Sequence, residues 1–163
     1  GFDFKPKPID LVAVCENMIE DMRTAYGRDV SIVFTHQGAD QSVLADEFLF
    51  SHILQNLISN GIKYSKPGGQ VQIVLNSLDT VVILHVSDQG IGIPEQHPRH
   101  RFEAFRRADN VGQIKGTGIG LTIVKRAVKA WDGTIEVESI EGKGTTFTIR
   151  LPIASPEGRR ENV

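Results

Sequence analysis

The chain has 163 residues, 40% of them hydrophobic and 23% charged, which is typical of a globular domain with one hydrophobic core. The formal net charge of −2 excludes the overall basic field that favours nucleic acid or an anionic membrane surface. Cys15 is the only cysteine, which excludes an internal disulfide and a cysteine-based zinc cluster and favours a reduced, cytoplasmic setting.

The first half of the chain predicts two helices separated by a strand. Pro8 and Asp10 open a helix whose apolar residues recur at helical spacing, and Gly27 ends it. "VSIVFT" (residues 30–35) has the β-branched composition of a strand. Asp46 then begins a long helix through "EFLFSHILQNLISNGIKYS".

The second half adds two strands, a third helix and a closing hairpin, and these are "VQIVLN", "TVVILHVSD", "GIGLTIVKRAVKAW", "TIEVES" and "TTFTIRLP". This order predicts an α+β fold, a two-layer sandwich in which a mixed, mostly antiparallel sheet of about five strands carries three helices on one face. We expect a single domain over residues 1–154, followed by a polar C-terminal tail over residues 155–163.

The long second helix carries a polar stripe beside its apolar face. At about 100° per residue, Asn56, Asn60 and Lys63 fall together on that stripe. A solvated surface is the ordinary explanation. The alternative is a ligand-binding wall, in which amide oxygens ligate Mg²⁺ and the ammonium binds phosphate. Tyr64 beside the stripe could stack on a flat ring, and Gly61 permits close approach to the helix backbone.

Two glycine-rich segments follow, "DQGIGIP" at residues 88–94 and "KGTGIGL" at residues 115–121. Neither matches the Rossmann fingerprint or a Walker loop. The second opens a helix, whose first amides are suited to binding an anion. Asp88 ends a buried strand, where its carboxylate can accept a hydrogen bond from an exocyclic amine, and Gly90 and Gly92 leave room for a flat base. A turn or capping role for Asp88 is the ordinary alternative.

Four motifs stand in order along the chain, "NLISNGIKYS", "DQGIGIP", "FEAFRR" and "GTGIGL". In this order they resemble the N, G1, F and G2 boxes of the catalytic ATP-binding domain of sensor histidine kinases. That family shares a superfamily with gyrase, the Hsp90 chaperones and MutL. The resemblance extends from "IDL" to "FTIRLP" and implies the Bergerat-type ATP-binding fold, with a flexible ATP lid over about residues 94–117.

The resemblance also implies a site for ATP and Mg²⁺. Asp88 would bind the adenine amine in a pocket shaped by Gly90, Gly92 and Ile93, with Tyr64 against the ring and Thr145 or Thr146 assisting. Asn60 would ligate Mg²⁺ with support from Asn56, and the catalytic set would be Asn56, Lys63 and Arg107, the last two on phosphates. The triphosphate would lie under the second glycine segment, formed by Gly116, Thr117, Gly118, Ile119, Gly120 and Leu121.

The implied activity is transfer of the γ-phosphoryl group to a protein histidine. Relatives that hydrolyse ATP carry a glutamate where this chain has Asn56, and an amide is a poor general base. None of the five histidines precedes an acidic residue as the family's phosphoacceptor does. The expected partners are therefore a histidine-bearing dimerisation domain of the same parent protein and a response regulator receiver domain, with no nucleic acid. We expect the isolated domain to be a cytoplasmic monomer, from a parent that can be membrane-anchored.

Two alternatives follow from the same motifs. Pro98 and Arg101 stand before the F box, where relatives carry apolar residues, and this leaves open a nucleotide-sensing regulatory module that transfers no phosphate, whereas the N box favours the kinase. A serine kinase of the anti-sigma-factor type also shares the boxes. The paired asparagines and the closing strands resemble the histidine kinases more closely.

Overall fold

The computed structural model describes residues 2–26, 29–38, 42–90, 118–140 and 142–156. The helices in this part of the chain are α1 (Leu11–Tyr26), α2 (Glu47–Tyr64) and α3 (Gly118–Ala130). The strands are β1 (Lys7–Ile9), β2 (Ser31–Gln37), β3 (Val43–Ala45), β4 (Gln70–Ser77), β5 (Val81–Asp88), β6 (Thr134–Ile140) and β7 (Gly144–Pro152). Each helix and each of the five longer strands matches a predicted segment, with bounds that differ by only a few residues.

The five longer strands form one mixed sheet in the order β2-β4-β5-β7-β6. Only the β2–β4 pair within this sheet is parallel, and the other three pairs are antiparallel. The predicted α+β fold with a mostly antiparallel sheet is therefore confirmed. A second sheet, in which β1 pairs antiparallel with β3, was not predicted. Its strands are three residues long, too short to show a period-2 pattern.

One face of the main sheet is buried and the other is more exposed, because side chains alternate along each strand. The buried set is fully apolar in the middle of the sheet, where Ile73, Val86, Phe147 and Val137 form one cross-strand row. The helices cover this face, and their apolar residues join those of the strands in a single core cluster.

Asp46 fixes the start of α2, as its position in the sequence predicted. Its carboxylate accepts a hydrogen bond from the Leu49 N–H at 3.0 Å, which caps the helix. The same carboxylate accepts from the Lys5 N–H at 2.8 Å, so it also holds the N-terminal segment. Directly after α3, the Trp131 indole N–H donates to the Pro152 carbonyl at 2.7 Å and joins that end of the helix to β7. In the described part of the chain, none of the helices combines the length and the apolar character that crossing a membrane requires.

Candidate functional site

The apolar face of the sheet ends in a row of polar side chains. Asp88, at the end of β5, aligns with Val71 on one side and with Thr145 on the other, and Thr145 aligns with Ser139. Strand alternation places all four on the face that carries the helices. Thr145 and Ser139 are among the few buried polar residues of the described chain. A face that carries a half-buried carboxylate and buried hydroxyl groups at one edge is equipped to bind a polar ligand there.

Asp88 is held in place by backbone N–H groups. The Gly90 N–H donates to Oδ1 at 2.9 Å, and the Thr145 N–H donates to the same carboxylate. Burial raises the pKa of Asp88 above its ordinary value, and these two hydrogen bonds oppose that shift only in part. The carboxylate is therefore oriented but incompletely compensated, and a hydrogen-bond donor on a ligand would stabilise its charged form.

The structure separates the two candidate threonines. Thr145 lies on the helix-covered face beside Asp88. Thr146 lies on the opposite face, where its hydroxyl is 3.0 Å from the Ser87 hydroxyl. Of the two, only Thr145 shares a face of the sheet with the Asp88 side chain.

Ser139 is a site residue that the sequence reasoning missed. Its Oγ lies 2.9 Å from Thr145 Oγ1 and 3.2 Å from the Gly144 carbonyl oxygen. A signal was present, since "TIEVES" places Ile135 and Val137 inward and then a serine at the next inward position. A hydroxyl that interrupts an inward apolar series indicates either a buried hydrogen bond or a binding edge.

Helix α2 crosses the end of the sheet directly above Asp88. A Cβ built on Gly61 would lie 3.7 Å from the Cβ of Asp88 and 3.0 Å from a Val71 methyl group, so the close approach that Gly61 permits is that of the sheet. Just beyond the helix, Ser65 forms a β-bridge with Gly90. Asn60, next to Gly61 in the chain, is thereby brought to the same end of the sheet as Asp88.

The two asparagines of α2 differ in how they are held. Asn56 donates its Nδ2 hydrogen to the His52 carbonyl oxygen at 2.6 Å, which ties the amide to its own helix. Asn60 Nδ2 is buried and has no hydrogen-bond partner among the described residues. A buried amide without a partner costs stability. It is explained if Asn60 binds a group that lies outside the described residues.

Helix α3 begins against these two amides. A Cβ built on Gly120 would lie 3.1 Å from Asn56 Oδ1 and 3.9 Å from Asn60 Nδ2. The first turn of α3 has N–H groups without intrahelical partners and the positive end of the helix dipole. The geometry thus places the N-terminus of α3, which is suited to an anion, beside Asn60.

Lys63 and Tyr64 end α2 beside the same edge. Lys63 Nζ lies 5.7 Å from the centroid of the Tyr64 ring, within range of a cation–π contact. Lys63 is exposed and Tyr64 is partly buried. Their placement, close to the Ser65–Gly90 bridge, puts a cation and an aromatic ring at the rim of the site.

A cavity of about 430 Å³ opens at this end of the sheet. Its described lining comes from the ends of β5, β6 and β7 and from the connection between the last two, and it includes Asp88, Ser139 and Thr145. This volume lies within the range of small-molecule sites.

Several predicted site residues lie outside the described part of the chain, namely Gly92, Ile93, Arg107, Gly116 and Thr117, together with the whole of the predicted lid over residues 94–117. Gly118 and Ile119 begin the backbone of α3, without a description of their side chains. Leu121 is 1% exposed and belongs to the core cluster, so its side chain supports α3 from within.

Comparison with known proteins shows the family to which the chain belongs. Residues 45–155 match the family described as histidine kinase-, DNA gyrase B- and HSP90-like ATPases. The sensor histidine kinase WalK of Bacillus subtilis is 36% identical over 155 residues, which are 93% of this chain and 25% of that protein. YkoH, another sensor histidine kinase of that organism, is 33% identical and is matched over 98% of this chain and 35% of its own length. The chain thus spans about a quarter to a third of these relatives.

Solved structures agree with the sequence matches. The mycobacterial sensor histidine kinase MprB superposes with a TM-score of 0.72 at 27% identity, covering 93% of this chain and 99% of that one. Full-length ShkA in complex with AMPPNP also gives 0.72, at 28% identity, over 94% of this chain and 32% of that one.

Proposed function

Because this chain belongs to the family of histidine kinase-, DNA gyrase B- and HSP90-like ATPases, as the catalytic domain of a sensor histidine kinase, we propose that it binds Mg·ATP and transfers the γ-phosphoryl group to a histidine on a separate domain. One observation carries the proposal. Three features converge on one end of the molecule: Asp88 at the sheet edge, the first turn of α3, and Asn60, whose Nδ2 has no partner among the described residues.

The sheet side of this site suits an adenine ring. The Asp88 carboxylate accepts a hydrogen bond from the exocyclic amine. The backbone N–H groups of Gly90 and Thr145 hold the carboxylate in that orientation. Each hydrogen bond to a charged group contributes about 1.5–3 kcal/mol. Thr145 adds a hydroxyl beside the carboxylate, and Tyr64 offers its ring at the rim.

The helix side suits a triphosphate and its metal. Rotating the Asn60 amide by half a turn places Oδ1 where Nδ2 lies, and a carbonyl-type oxygen is a ligand that Mg²⁺ accepts. When bound, Mg²⁺ would neutralise phosphate charge. Lys63 would hold a phosphate oxygen, and the first amides of α3 would orient the chain of phosphates.

The residues present favour transfer over hydrolysis. Asn56 stands on the same face of α2 as Asn60, and its Nδ2 is already committed to the His52 carbonyl. An amide has no basic group with which to activate water. Catalysis would therefore rest on positioning and on charge neutralisation, with the acceptor delivered to the site by another domain.

The proposal also includes the domain that accepts the phosphoryl group and the response regulator downstream of it. The chain covers 25% of WalK and 35% of YkoH, so a full-length protein of their kind has room for a histidine-bearing dimerisation domain. The phosphohistidine would then supply a response regulator.

Calorimetric titration with ATP, with and without Mg²⁺, tests the nucleotide site. We expect Asp88→Asn to weaken binding about 10- to 100-fold, the equivalent of one hydrogen bond to a charged group. The matched control is Asp79→Asn, the same charge change on an exposed residue beyond the opposite end of β5, and it should leave affinity unchanged. Undiminished affinity in Asp88→Asn would remove the base pocket.

A second pair of measurements separates the metal site and the kinase activity. Asn60→Ala should lower affinity for ATP about tenfold in the presence of Mg²⁺, and clearly less without it. Labelled ATP should then phosphorylate an added histidine-bearing helical domain only when the wild-type chain is present. Tight Mg·ATP binding without any such transfer would identify a nucleotide sensor instead of a kinase.

A further inference from the structure

The first residues of the chain lie against the start of α2 and the end of α3. The centroid of the Phe4 ring lies 5.4 Å from that of Trp131, which follows α3 directly. The centroid of the Phe2 ring lies 5.9 Å from that of Phe48, in the first turn of α2. Residues 2–5 therefore bridge the two helices, and we call them the N-terminal clasp.

The clasp is held by few interactions. The Lys5 N–H donates to Asp46 Oδ2 at 2.8 Å, and β1 anchors the residues that follow by pairing with β3. Phe4 is 39% exposed and Phe48 is 59% exposed, so parting them from their neighbours uncovers only part of each ring. A segment with so little buried apolar area opens locally at low cost while the rest of the domain stays folded.

The clasp and the proposed phosphate site lie at opposite ends of the same antiparallel pair of helices. At the clasp end, the Phe50 ring of α2 lies 6.4 Å from the Trp131 ring. At the other end, a Cβ built on Gly120 would lie 3.1 Å from Asn56 Oδ1 and 3.9 Å from Asn60 Nδ2. At ~1.5 Å per residue, the rise along α3 from Gly120 to Trp131 is about 16 Å.

We propose that the N-terminal clasp is coupled to nucleotide binding through these two helices. When it is closed, it holds the start of α2 against the end of α3 and so fixes the gap between Asn60 and the first turn of α3. This inference rests on the proposed function, since ATP must bind in that gap. A partner that pulls the clasp open would lower ATP affinity from a distance. ATP would in turn hold the clasp closed, because coupling between two sites is reciprocal.

The buried layer between the two ends transmits the change. Both helices contribute fully buried side chains to one core cluster, among them Leu54 and Leu57 from α2 and Val124 and Val128 from α3. A close-packed interior has low compressibility. A shift of one helix against the other at the clasp is therefore passed along the pair to the Asn60 end instead of being absorbed between them.

Hydrogen exchange on the wild-type chain tests the coupling without any substitution. The Lys5 amide is bonded to Asp46 only while the clasp is closed, so saturating Mg·ATP should slow its exchange about fivefold, the lower end of ordinary coupling. The Ala13 amide is the matched control, because it too donates to an aspartate side chain, Asp10 Oδ1 at 3.1 Å, but lies in α1. Its exchange should not change.

Trp131 provides a second measurement, since it is the only tryptophan in the chain and lies under the Phe4 ring. Quenching of its fluorescence by acrylamide should fall when Mg·ATP binds. Phe4→Ala favours the open state, so it should lower ATP affinity about fivefold in calorimetric titration. Tyr26→Ala removes another exposed aromatic ring, at the end of α1, and should leave the affinity at the wild-type value.

A purely structural role for Phe4 predicts a different result, in which Phe4→Ala lowers the free energy of unfolding but leaves the ATP affinity of the folded protein unchanged. That result, or equal Lys5 exchange with and without Mg·ATP, would overturn the inference and leave the proposed ATP site intact. If Phe4→Ala does not fold, the exchange and quenching of the wild-type chain still decide. Failure of the wild-type chain to bind ATP would refute the proposed function and this coupling together.

Discussion

Replacing Gly120 with alanine tests the placement of the phosphate side of the site. The added methyl group would lie 3.1 Å from Asn56 Oδ1 and 3.9 Å from Asn60 Nδ2, between the first turn of α3 and the two amides. This is the space that the proposed function assigns to phosphate and metal. We therefore expect ATP affinity to fall at least tenfold, a loss of ~1.4 kcal/mol.

The effect on stability should be small, because two opposing terms are similar in size. Alanine is favoured over glycine in a helix by up to about 1 kcal/mol, and by less in a first turn. Against this, Asn56 must yield by a few tenths of an ångström, while its Nδ2 is held by the 2.6 Å bond to the His52 carbonyl. We expect the free energy of unfolding to change by less than about 1 kcal/mol in either direction.

Gly68→Ala is the matched control for this variant. Nothing lies within 4 Å of a Cβ at that position, but its φ of +82° is unfavourable for alanine. It should lower the free energy of unfolding by about 1–2 kcal/mol and leave ATP affinity unchanged. Urea unfolding and calorimetric titration on the two variants should thus show opposite signatures. Wild-type ATP affinity in a folded Gly120→Ala protein would refute our placement of the triphosphate.

Three further predictions concern Asp88, Asp46 and Cys15. Because the pKa of Asp88 is raised in the folded protein, its contribution to stability is present below the ordinary pKa of 3.8 and is lost as pH rises through the folded pKa. Without nucleotide, the stability of Asp88→Asn relative to wild type should therefore increase with pH, as urea unfolding between about pH 4 and pH 8 can measure; a flat difference would contradict the burial of the carboxylate. Asp46→Ala removes the α2 cap and the acceptor for the Lys5 N–H, so it should lower the free energy of unfolding by about 2 kcal/mol and Tm by roughly 4–8 °C. A change in Tm below about 1 °C in calorimetry would count against both contacts. Burial, together with the nearby Glu16 and Asp10, raises the pKa of the Cys15 thiol to about 12. A thiol reagent should therefore label Cys15 only at the rate of unfolding, and rapid labelling of the native protein would contradict this prediction.

The fold was predictable wherever an element was long enough to show its period. The eighteen residues of α2 repeat an apolar face several times, and Asp46 marks its start as a capping residue. The β1–β3 pair was not predictable, because it depends on a contact between Lys7–Ile9 and Val43–Ala45 that no local pattern records. The parallel pairing of β2 with β4 likewise depends on how α2 carries the chain across the sheet.

The site residues likewise separate into those that the sequence predicted and those that depend on tertiary contacts. The motifs singled out Asp88 and Asn60, and in the structure a Cβ built on Gly61, next to Asn60, would lie 3.7 Å from the Asp88 Cβ. The choice between Thr145 and Thr146 could not be made from two adjacent threonines, since it depends on strand register. Ser139 was missed because the role of a buried hydroxyl depends on its hydrogen-bond partner, and that partner, Thr145, lies on the neighbouring strand.

The sequence by itself thus determined which elements form and which residue types carry the chemistry, because helical and strand periods and capping are interactions between near neighbours in the chain. Only the tertiary structure decided which of those residues meet. Strand register set the row of Asp88, Thr145 and Ser139, and the packing of α2 and α3 over its end brought Asn60 and Gly120 beside it. Such contacts join residues far apart in the chain, so they are selected by the packing of the whole core and not by any short segment.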